Sequence, residues 1–218
     1  MNLPQTIIRF PEIQLQTRDA HKLRGYIGKL FKEKSELLHN HMGNGELRYA
    51  YPQVQYKVLD GTPTLIGIKE GASLLTELFL KIRELNIDGR IIPVHQKNIE
   101  GIKRELGVNE KFYTYNFKTY WMALNQKNFQ RYSDASSSEA QDLLERTLVG
   151  NILSFFKSMD LFVEKRIHAT GTFTEKKTKF KNNQMLVFSG SFETNVALPD
   201  YIGLGKQVAR GFGTIRQI

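Results

Sequence analysis

The sequence predicts an α+β protein made of two tandem domains. Amphipathic helical segments alternate with short apolar strands, an Asp60-Gly61 pair provides a tight turn between two of the strands, and the element order β-α-β-β-α-β occurs once and then again in a degraded form. That order is the ferredoxin-like unit, which RRM domains share. We therefore expect a first ferredoxin-like domain over residues 1–98 and a second over residues 108–218.

The elements of the first half follow from hydrophobic periodicity. Val54, Tyr56 and Val58 alternate with polar residues, which predicts a strand with one buried face, and the Asp60-Gly61 turn predicts that this strand enters a hairpin. Apolar residues recurring on one face predict the helices. In chain order we expect a strand over residues 6–15, a helix over 19–38, a hairpin over 51–59 and 64–68, a helix over 71–85 and a closing strand over 89–95.

The second half repeats the order incompletely. Ser136, followed by Glu139, predicts a capping box at the start of a helix whose apolar stripe is Leu144, Leu148, Ile152, Phe155 and Met159. A short segment over residues 198–207 stands where the second helix of the unit would be. The expected elements are strands over residues 112–124, 161–173 and 184–192, a basic loop over 174–183, a helix within 133–159 and a last strand over 213–218.

Composition limits the classes of partner and site. The chain has 218 residues, a formal net charge of +9 and a pI near 9.6, so its surface should attract polyanions such as nucleic acid. We expect no membrane span and no signal peptide, and hence a cytoplasmic protein. The absence of cysteine excludes disulfides and thiolate metal sites, so any metal would have to be held by histidine and carboxylate groups.

Four glycines form the pattern G-x-G-x5-G-x-G over residues 203–213 (GLGKQVARGFG), here called the glycine loop. Glycine allows positive φ and close backbone approach, and the N–H groups of such a loop can bind a phosphate. A dinucleotide fingerprint would need a further helix, strand and acidic residue, which the sequence up to Ile218 does not supply. No P-loop motif occurs either. The alternative is a glycine-rich turn before a last strand.

Residues 37–49 (LLHNHMGNGELRY) place His39 and His41 one residue apart beside a Gly-Asn-Gly turn. Because histidine exchanges protons near neutral pH, the two could act as an acid–base pair. A metal site is disfavoured, since residues i and i+2 do not face each other on a helix and a catalytic metal normally takes three protein ligands. Two exposed histidines at a helix end are the third alternative, and the residues alone leave the choice open.

The glycine loop and four further segments resemble the CRISPR-associated repeat-RNA endoribonucleases of the Cas6 family, b subtype. The segments are KLRGYIGKLF, LLHNHMGNG, YPQVQYKVL and LIGIKEG, in the same order as in that family. The resemblance implies two tandem ferredoxin-like domains and metal-independent cleavage within CRISPR repeats. It also implies products with a 5′-hydroxyl and a 2′,3′-cyclic phosphate, and no cofactor.

The resemblance implies that His39 and His41 act in cleavage, with His41 favoured because it lies nearer the glycine turn. Attack by the 2′-hydroxyl needs a base, an acid for the leaving oxygen and positive charge near the phosphorane. Arg48 lies on the same segment and is the candidate for that charge. Tyr49 is a further candidate for orienting or protonating a group.

The expected RNA contacts lie in the second half of the chain. A first set is the glycine loop, with Gly203, Gly205, Lys206, Arg210, Gly211 and Gly213, and a second is the basic loop, with Lys176, Lys177, Lys179 and Lys181. A solvated hairpin tip is the alternative for the basic loop. The aromatic run Tyr113, Tyr115, Phe117 and Tyr120 could stack bases, but alternating aromatics in a strand are more often core residues, so the run is predicted to belong to the core.

Three functions are therefore compatible with the sequence. The first is an endoribonuclease that cleaves CRISPR repeat RNA in the precursor transcript, the second a non-catalytic CRISPR RNA-binding protein of the same fold, and the third a metal-dependent nuclease. We expect the first, with CRISPR repeat RNA as partner and no membrane partner. A CRISPR effector complex and a homodimer are left open as further partners.

Overall fold

The computed structural model describes residues 1–31, 51–180 and 183–218. The protein is α+β, and its chain divides into two compact units. The first unit comprises Asn2–Arg104 with Ala209–Gly211, and the second comprises Met1 with Glu105–Val208 and Phe212–Ile218. Each unit contains a four-stranded sheet. None of the helices in the described ranges has the length and apolarity that a membrane crossing requires.

The first unit contains six strands and two α-helices among the described residues. Its main sheet has the order β2-β3-β1-β6, and β4 pairs only with β5 in a separate ribbon. Strand β3 runs antiparallel to both β1 and β2. The elements are β1 (Asn2–Arg9), α1 (Ala20–Leu30), β2 (Val54–Leu59), β3 (Thr62–Ile68), α2 (Glu70–Leu78), β4 (Glu84–Ile87), β5 (Arg90–Pro93) and β6 (Asn98–Glu105).

The hairpin of β2 and β3 confirms the turn prediction. Asp60 and Gly61 have φ values of 49° and 84°, the positive values that a two-residue hairpin turn of this kind requires. The pairing of Leu59 with Thr62 places the turn between them. Apolar residues of α1, α2 and one face of the sheet form a single core, which includes Leu23, Ile27, Tyr56, Leu65 and Leu75.

Three expectations for the first unit are wrong. Residues 89–95 do not close the main sheet, because β5 pairs with β4, and β6 (Asn98–Glu105) instead occupies the position beside β1. The helix expected over residues 71–85 ends at Leu78, and residues 84–87 form β4. The helix expected over 19–38 ends at Leu30; residues 32–38 lie outside the described ranges.

The second unit has a sheet of order β10-β7-β9-β8. Counted from the first strand of each unit, this is the same order as in the main sheet of the first unit, and all three pairings are antiparallel. The elements are β7 (Gly107–Phe117), α3 (Gln126–Asp134), α4 (Ser137–Ser158), β8 (Ala169–Phe180), β9 (Asn183–Ala197) and β10 (Ile215–Gln217).

Helix α4 begins as the sequence predicts. The Ser136 side chain accepts a hydrogen bond from the Glu139 N–H, and the Glu139 carboxylate accepts one from the Ser136 N–H, which completes the capping box. The predicted stripe Leu144, Leu148, Ile152, Phe155 and Met159 is buried throughout. The last strand, β10, is also confirmed.

Other boundaries of the second unit differ from the prediction. Residues 174–180, expected as part of a basic loop, continue β8, which pairs with β9 as far as Phe180 opposite Asn183. Residues 161–168 are not in a strand, and α3 (Gln126–Asp134) is an element that the sequence did not predict. In the segment over residues 198–207, where a second helix is missing, the structure has no α-helix; a short 3-10 turn follows at Val208–Arg210.

Side chains of α4 also reach the outer edge of β8, the last strand in its sheet. The Gln141 amide donates to the Gly171 carbonyl at 2.6 Å, and the Gly171 N–H donates to the Glu145 carboxylate at 3.2 Å. Gln141 also donates to Glu145 at 2.7 Å. The two bonds to Gly171 fix α4 against β8 and satisfy both backbone groups of Gly171.

Candidate nucleic-acid interface

The four residues predicted for cleavage, His39, His41, Arg48 and Tyr49, lie outside the described residues. The segment that carries them connects α1, which ends at Leu30, with β2, which begins at Val54. The other three histidines are in different elements: His21 on α1, His95 after β5 and His168 before β8. Within the described part of the chain, no group of three or more histidine, aspartate or glutamate residues is arranged to hold a metal ion.

Backbone hydrogen bonds hold the glycine loop in place. The Leu204 N–H donates to the Gly213 carbonyl at 2.9 Å, the Gly213 N–H to the Tyr120 carbonyl at 2.8 Å, and the Lys206 N–H to the Met122 carbonyl at 3.0 Å. These three N–H groups are thus used within the protein. Phosphate binding at this loop would therefore rely on its cationic side chains more than on the row of N–H groups that the sequence pattern suggested.

Three glycines of the loop, Gly205, Gly211 and Gly213, have the positive φ that its conformation requires. Gly205 and Gly213 have φ values of 88° and 63°. A Cβ atom on Gly205 would lie 2.7 Å from the Trp121 Nε1, and one on Gly213 would overlap the Leu204 carbonyl oxygen. Trp121 Nε1 in turn donates to Asn151 of α4 at 3.0 Å. The loop is therefore packed tightly onto the core of the second unit, and it leads directly into β10.

The middle of the glycine loop belongs to the first unit, where it contacts α1. A Cβ atom on Gly211 would lie 2.8 Å from the Ala20 Cβ and 3.4 Å from the Tyr56 carbonyl oxygen. Arg24, one helical turn after Ala20, is half-buried. Burial lowers the pKa of Arg24, and the charge of Arg210 lowers it further. The two guanidinium groups therefore interact, although their positions are 186 residues apart in the sequence.

Sequence patterns did not identify Arg24 as a candidate functional residue. Ala20, Arg24 and Gly28 recur at intervals of four residues and so share one face of α1. Two small residues flanking an arginine indicate that another segment approaches this face closely. The spacing does not identify that segment, because the contact with residues 209–211 is long-range.

The basic residues of β8 do not form one cluster. Successive side chains of a strand point to opposite faces, so Lys177 and Lys179 share one face of the sheet with Glu175, and Lys176 lies on the other. All three lysines are exposed. Lys181 lies outside the described residues.

The aromatic run has the predicted core role only in its middle, since Tyr113 is partly exposed and Tyr120 is exposed. Tyr115 and Phe117 are buried, and both rings contact Phe192 of β9, with centroids 5.4 and 5.3 Å away. Phe117 also stacks on Trp121 at 5.1 Å. Tyr120 is 42% exposed, so this end of the run reaches the surface.

Comparison with known proteins gives a consistent result over the whole chain. A family model described as the Cas6b N-terminal domain matches residues 1–105, and one described as the Cas6b C-terminal domain matches residues 107–218. A crystal structure of Cas6b is 37% identical with a TM-score of 0.95, and 100% of each chain is covered. A crystal structure described as CRISPR RNA processing endoribonuclease Cas6b is 33% identical with a TM-score of 0.82, again with 100% of each chain covered.

A relative of unassigned activity is also similar. An uncharacterized protein of Methanocaldococcus jannaschii is 36% identical over 143 residues, which are 65% of this chain and 97% of that protein.

Proposed function

The chain belongs to the Cas6b family of CRISPR RNA processing endoribonucleases, and on this premise we propose that it cleaves CRISPR repeat RNA without a metal ion. The observation that carries the proposal is that both Cas6b domain models match, together covering nearly the whole chain. The proposed reaction is attack of a 2′-hydroxyl on the adjacent phosphate. It leaves a 2′,3′-cyclic phosphate on one product and a 5′-hydroxyl on the other.

In the proposed mechanism, the His39 and His41 pair supplies the base for the 2′-hydroxyl and the acid for the 5′-oxygen. Imidazole suits both roles because its unperturbed pKa of about 6.5 allows either protonation state near neutral pH. Arg48 would stabilise the charge that develops on the phosphorane, and Tyr49 would orient a reacting group. The sequence contains no cysteine, so no thiol can serve as the acid or the base.

For RNA binding we propose the cations of the second half of the chain. Lys206 and Arg210 lie on the glycine loop, and Lys176, Lys177 and Lys179 lie on β8. Gly203, Gly205, Gly211 and Gly213 would contribute by giving the loop its shape, since several of its N–H groups already donate to protein carbonyls. The formal net charge of +9 favours this class of ligand.

We further propose that each unit is a ferredoxin-like domain, with the second lacking one helix. The sheet orders β2-β3-β1-β6 and β10-β7-β9-β8 support this, because each places the first strand of its unit between the third and the last of its sheet. The β4-β5 ribbon would then be an insertion in the first domain. We propose the domains as expected, over residues 1–98 and 108–218; the matched ranges, which end at residue 105 and begin at residue 107, support a boundary in this region.

The test is a cleavage assay on the repeat RNA of the source genome in excess EDTA. We expect the wild-type protein to cut this RNA and the product ends to be a 5′-hydroxyl and a cyclic phosphate. His39→Ala/His41→Ala should slow cleavage by at least about a hundredfold, because general acid–base catalysis contributes on this scale. The same variant should retain its affinity for the repeat RNA.

The matched control is His95→Ala/His168→Ala, which removes two exposed histidines from other elements. This variant should cleave at the wild-type rate. Cleavage that requires added metal would contradict the proposed mechanism. Tight binding of the repeat by wild-type protein without any cleavage would instead identify a non-catalytic RNA-binding protein.

A further inference from the structure

The contact of the glycine loop with α1 brings two arginines to one place. Residues Ala209–Gly211 belong to the first unit, and the Gly211 backbone lies against Ala20 and the Tyr56 carbonyl. A side chain on Gly211 would collide with Ala20. The absence of a side chain at this position therefore sets how closely the loop approaches the helix.

This close approach brings Arg24 and Arg210 near each other. Arg24 is one turn beyond Ala20 on the same face of α1, and Arg210 directly precedes Gly211. Both arginines are half-buried, so neither charge is fully surrounded by water. Their mutual repulsion is also reflected in the lowered pKa of Arg24. Arginine nevertheless stays protonated at neutral pH, so the two groups present a pair of positive charges.

We infer that Arg24 and Arg210 bind one phosphate group of the RNA together. The identity of the ligand as RNA rests on the proposed function. A guanidinium group offers several N–H donors in a planar fork that matches phosphate geometry, and two such groups can share the oxygens of one phosphate. Arg24 thereby becomes an RNA-binding residue on α1, the helix that precedes the histidine segment. The site joins two distant parts of the sequence.

The inference predicts a specific pattern of energetic coupling. If both arginines hold the same phosphate, removing either one displaces that phosphate, and removing the second then has little further effect. If each held a different phosphate, the two losses would multiply. The number of phosphates released is measured separately by the salt dependence of binding, since each contact to single-stranded RNA contributes about 0.7 to the slope of log K against log[salt].

The experiment measures binding to a repeat RNA that carries a 2′-deoxy nucleotide at the position where the wild-type protein cuts. Fluorescence anisotropy over a series of salt concentrations gives the affinity and the slope. We expect R24Q and R210Q each to weaken binding by about tenfold, the lower end for charged hydrogen bonds. The double variant should also lose about tenfold, and the slope should fall by about 0.7 in all three variants.

Two further variants keep the result interpretable. R146Q removes an exposed arginine of α4 that pairs with Asp142, and it should leave affinity and slope unchanged. R24K retains the charge without the fork, so its affinity should lie between those of wild type and R24Q. Circular dichroism and thermal melting establish that each variant is folded.

If the losses of binding free energy add, so that the double variant binds about a hundredfold more weakly than wild type, the two arginines do not share one phosphate. Unchanged binding by R24Q would also contradict the inference. These outcomes do not depend on catalysis. A wild-type protein that binds the repeat but fails to cut it would contradict the proposed nuclease activity and leave the arginine result standing, with the deoxy nucleotide then omitted from the probe.

Discussion

At the scale of single residues, Lys57 is the least expected feature. The alternating pattern of residues 51–59 predicts that Gln55 and Lys57 face solvent, yet both are fully buried in β2. Burial lowers the pKa of Lys57 from 10.5 to about 7. The periodicity correctly identified the strand, but it could not show that the second face of the sheet is covered as well, because a lysine ordinarily marks a solvated face.

Lys57 should make the stability of the protein depend on pH. Between pH 7 and 10.5 the unfolded chain binds a proton that the folded chain has released, so the free energy of unfolding should rise with pH across this window. Below pH 7 the contribution of Lys57 is constant. Lys57→Met should remove this rise and give its largest stability gain, a few kcal/mol, near pH 7 and below.

Urea unfolding at several pH values between 6 and 10.5 measures this effect. Lys81→Met, at an exposed lysine of the same unit that pairs with Glu77, is the control and should keep the wild-type slope. Parallel stability curves for the wild-type protein and Lys57→Met would show that Lys57 does not titrate in this range.

At the scale of elements, the conformation of the glycine loop depends on backbone geometry more than on side-chain contacts. Gly213→Ala should destabilise the protein by about 2 kcal/mol or more, because φ is positive and the new Cβ would overlap the Leu204 carbonyl. Gly150→Ala in α4 is the matched control. Apart from the chain neighbours and the backbone of the same helix, no atom lies within 4 Å of a Cβ at Gly150, so this change should stabilise the protein by about 0.5–1 kcal/mol. Thermal unfolding of both variants would reveal opposite shifts, and equal shifts would contradict the argument.

Strand β8 divides its lysines between two faces, and this separation is testable. Lys177→Ala/Lys179→Ala removes two charges from one face and should weaken binding of the repeat RNA by about tenfold, which is about threefold per lysine, whereas Lys176→Ala should weaken it by only about 1.5-fold. An RNA strand that follows one face of the sheet lies closest to the lysines on that face, so Lys176 makes the weaker contact. Filter binding at fixed salt measures the difference. Equal losses per lysine would indicate that the RNA wraps around the edge of β8.

Element prediction succeeded where local chemistry is decisive. The Asp60-Gly61 turn and the Ser136–Glu139 capping box each need only neighbouring residues, and both are present. The prediction failed for residues 174–180 of β8. Glu175 and the lysines of this strand make both faces polar, so the alternation that marks a strand is absent. The prediction also failed for β6, because its side chains are mostly polar or charged and at least partly exposed. The more apolar segment over residues 89–95 fits the pattern of a closing strand better.

At the scale of the whole molecule, the duplicated element order was predictable and its details were not. The sequence predicts a second, degraded unit, and the two main sheets do share one strand order. The helix α3 and the β4-β5 ribbon pair or pack mainly with near neighbours, and they leave little trace in the periodicity of the sequence. The proximity of Arg24 to Arg210 is a long-range consequence of the fold, so no local pattern could have predicted it.

The bonds from α4 to Gly171 have a consequence for how copies of this protein behave when crowded. An approaching strand would need the Gly171 N–H and carbonyl to pair with this end of β8, but Glu145 and Gln141 already occupy them. If the protein acts on a transcript that contains many repeats, many copies will gather on one RNA. Under those conditions the helix keeps this part of the β8 edge from pairing with a strand of an adjacent copy.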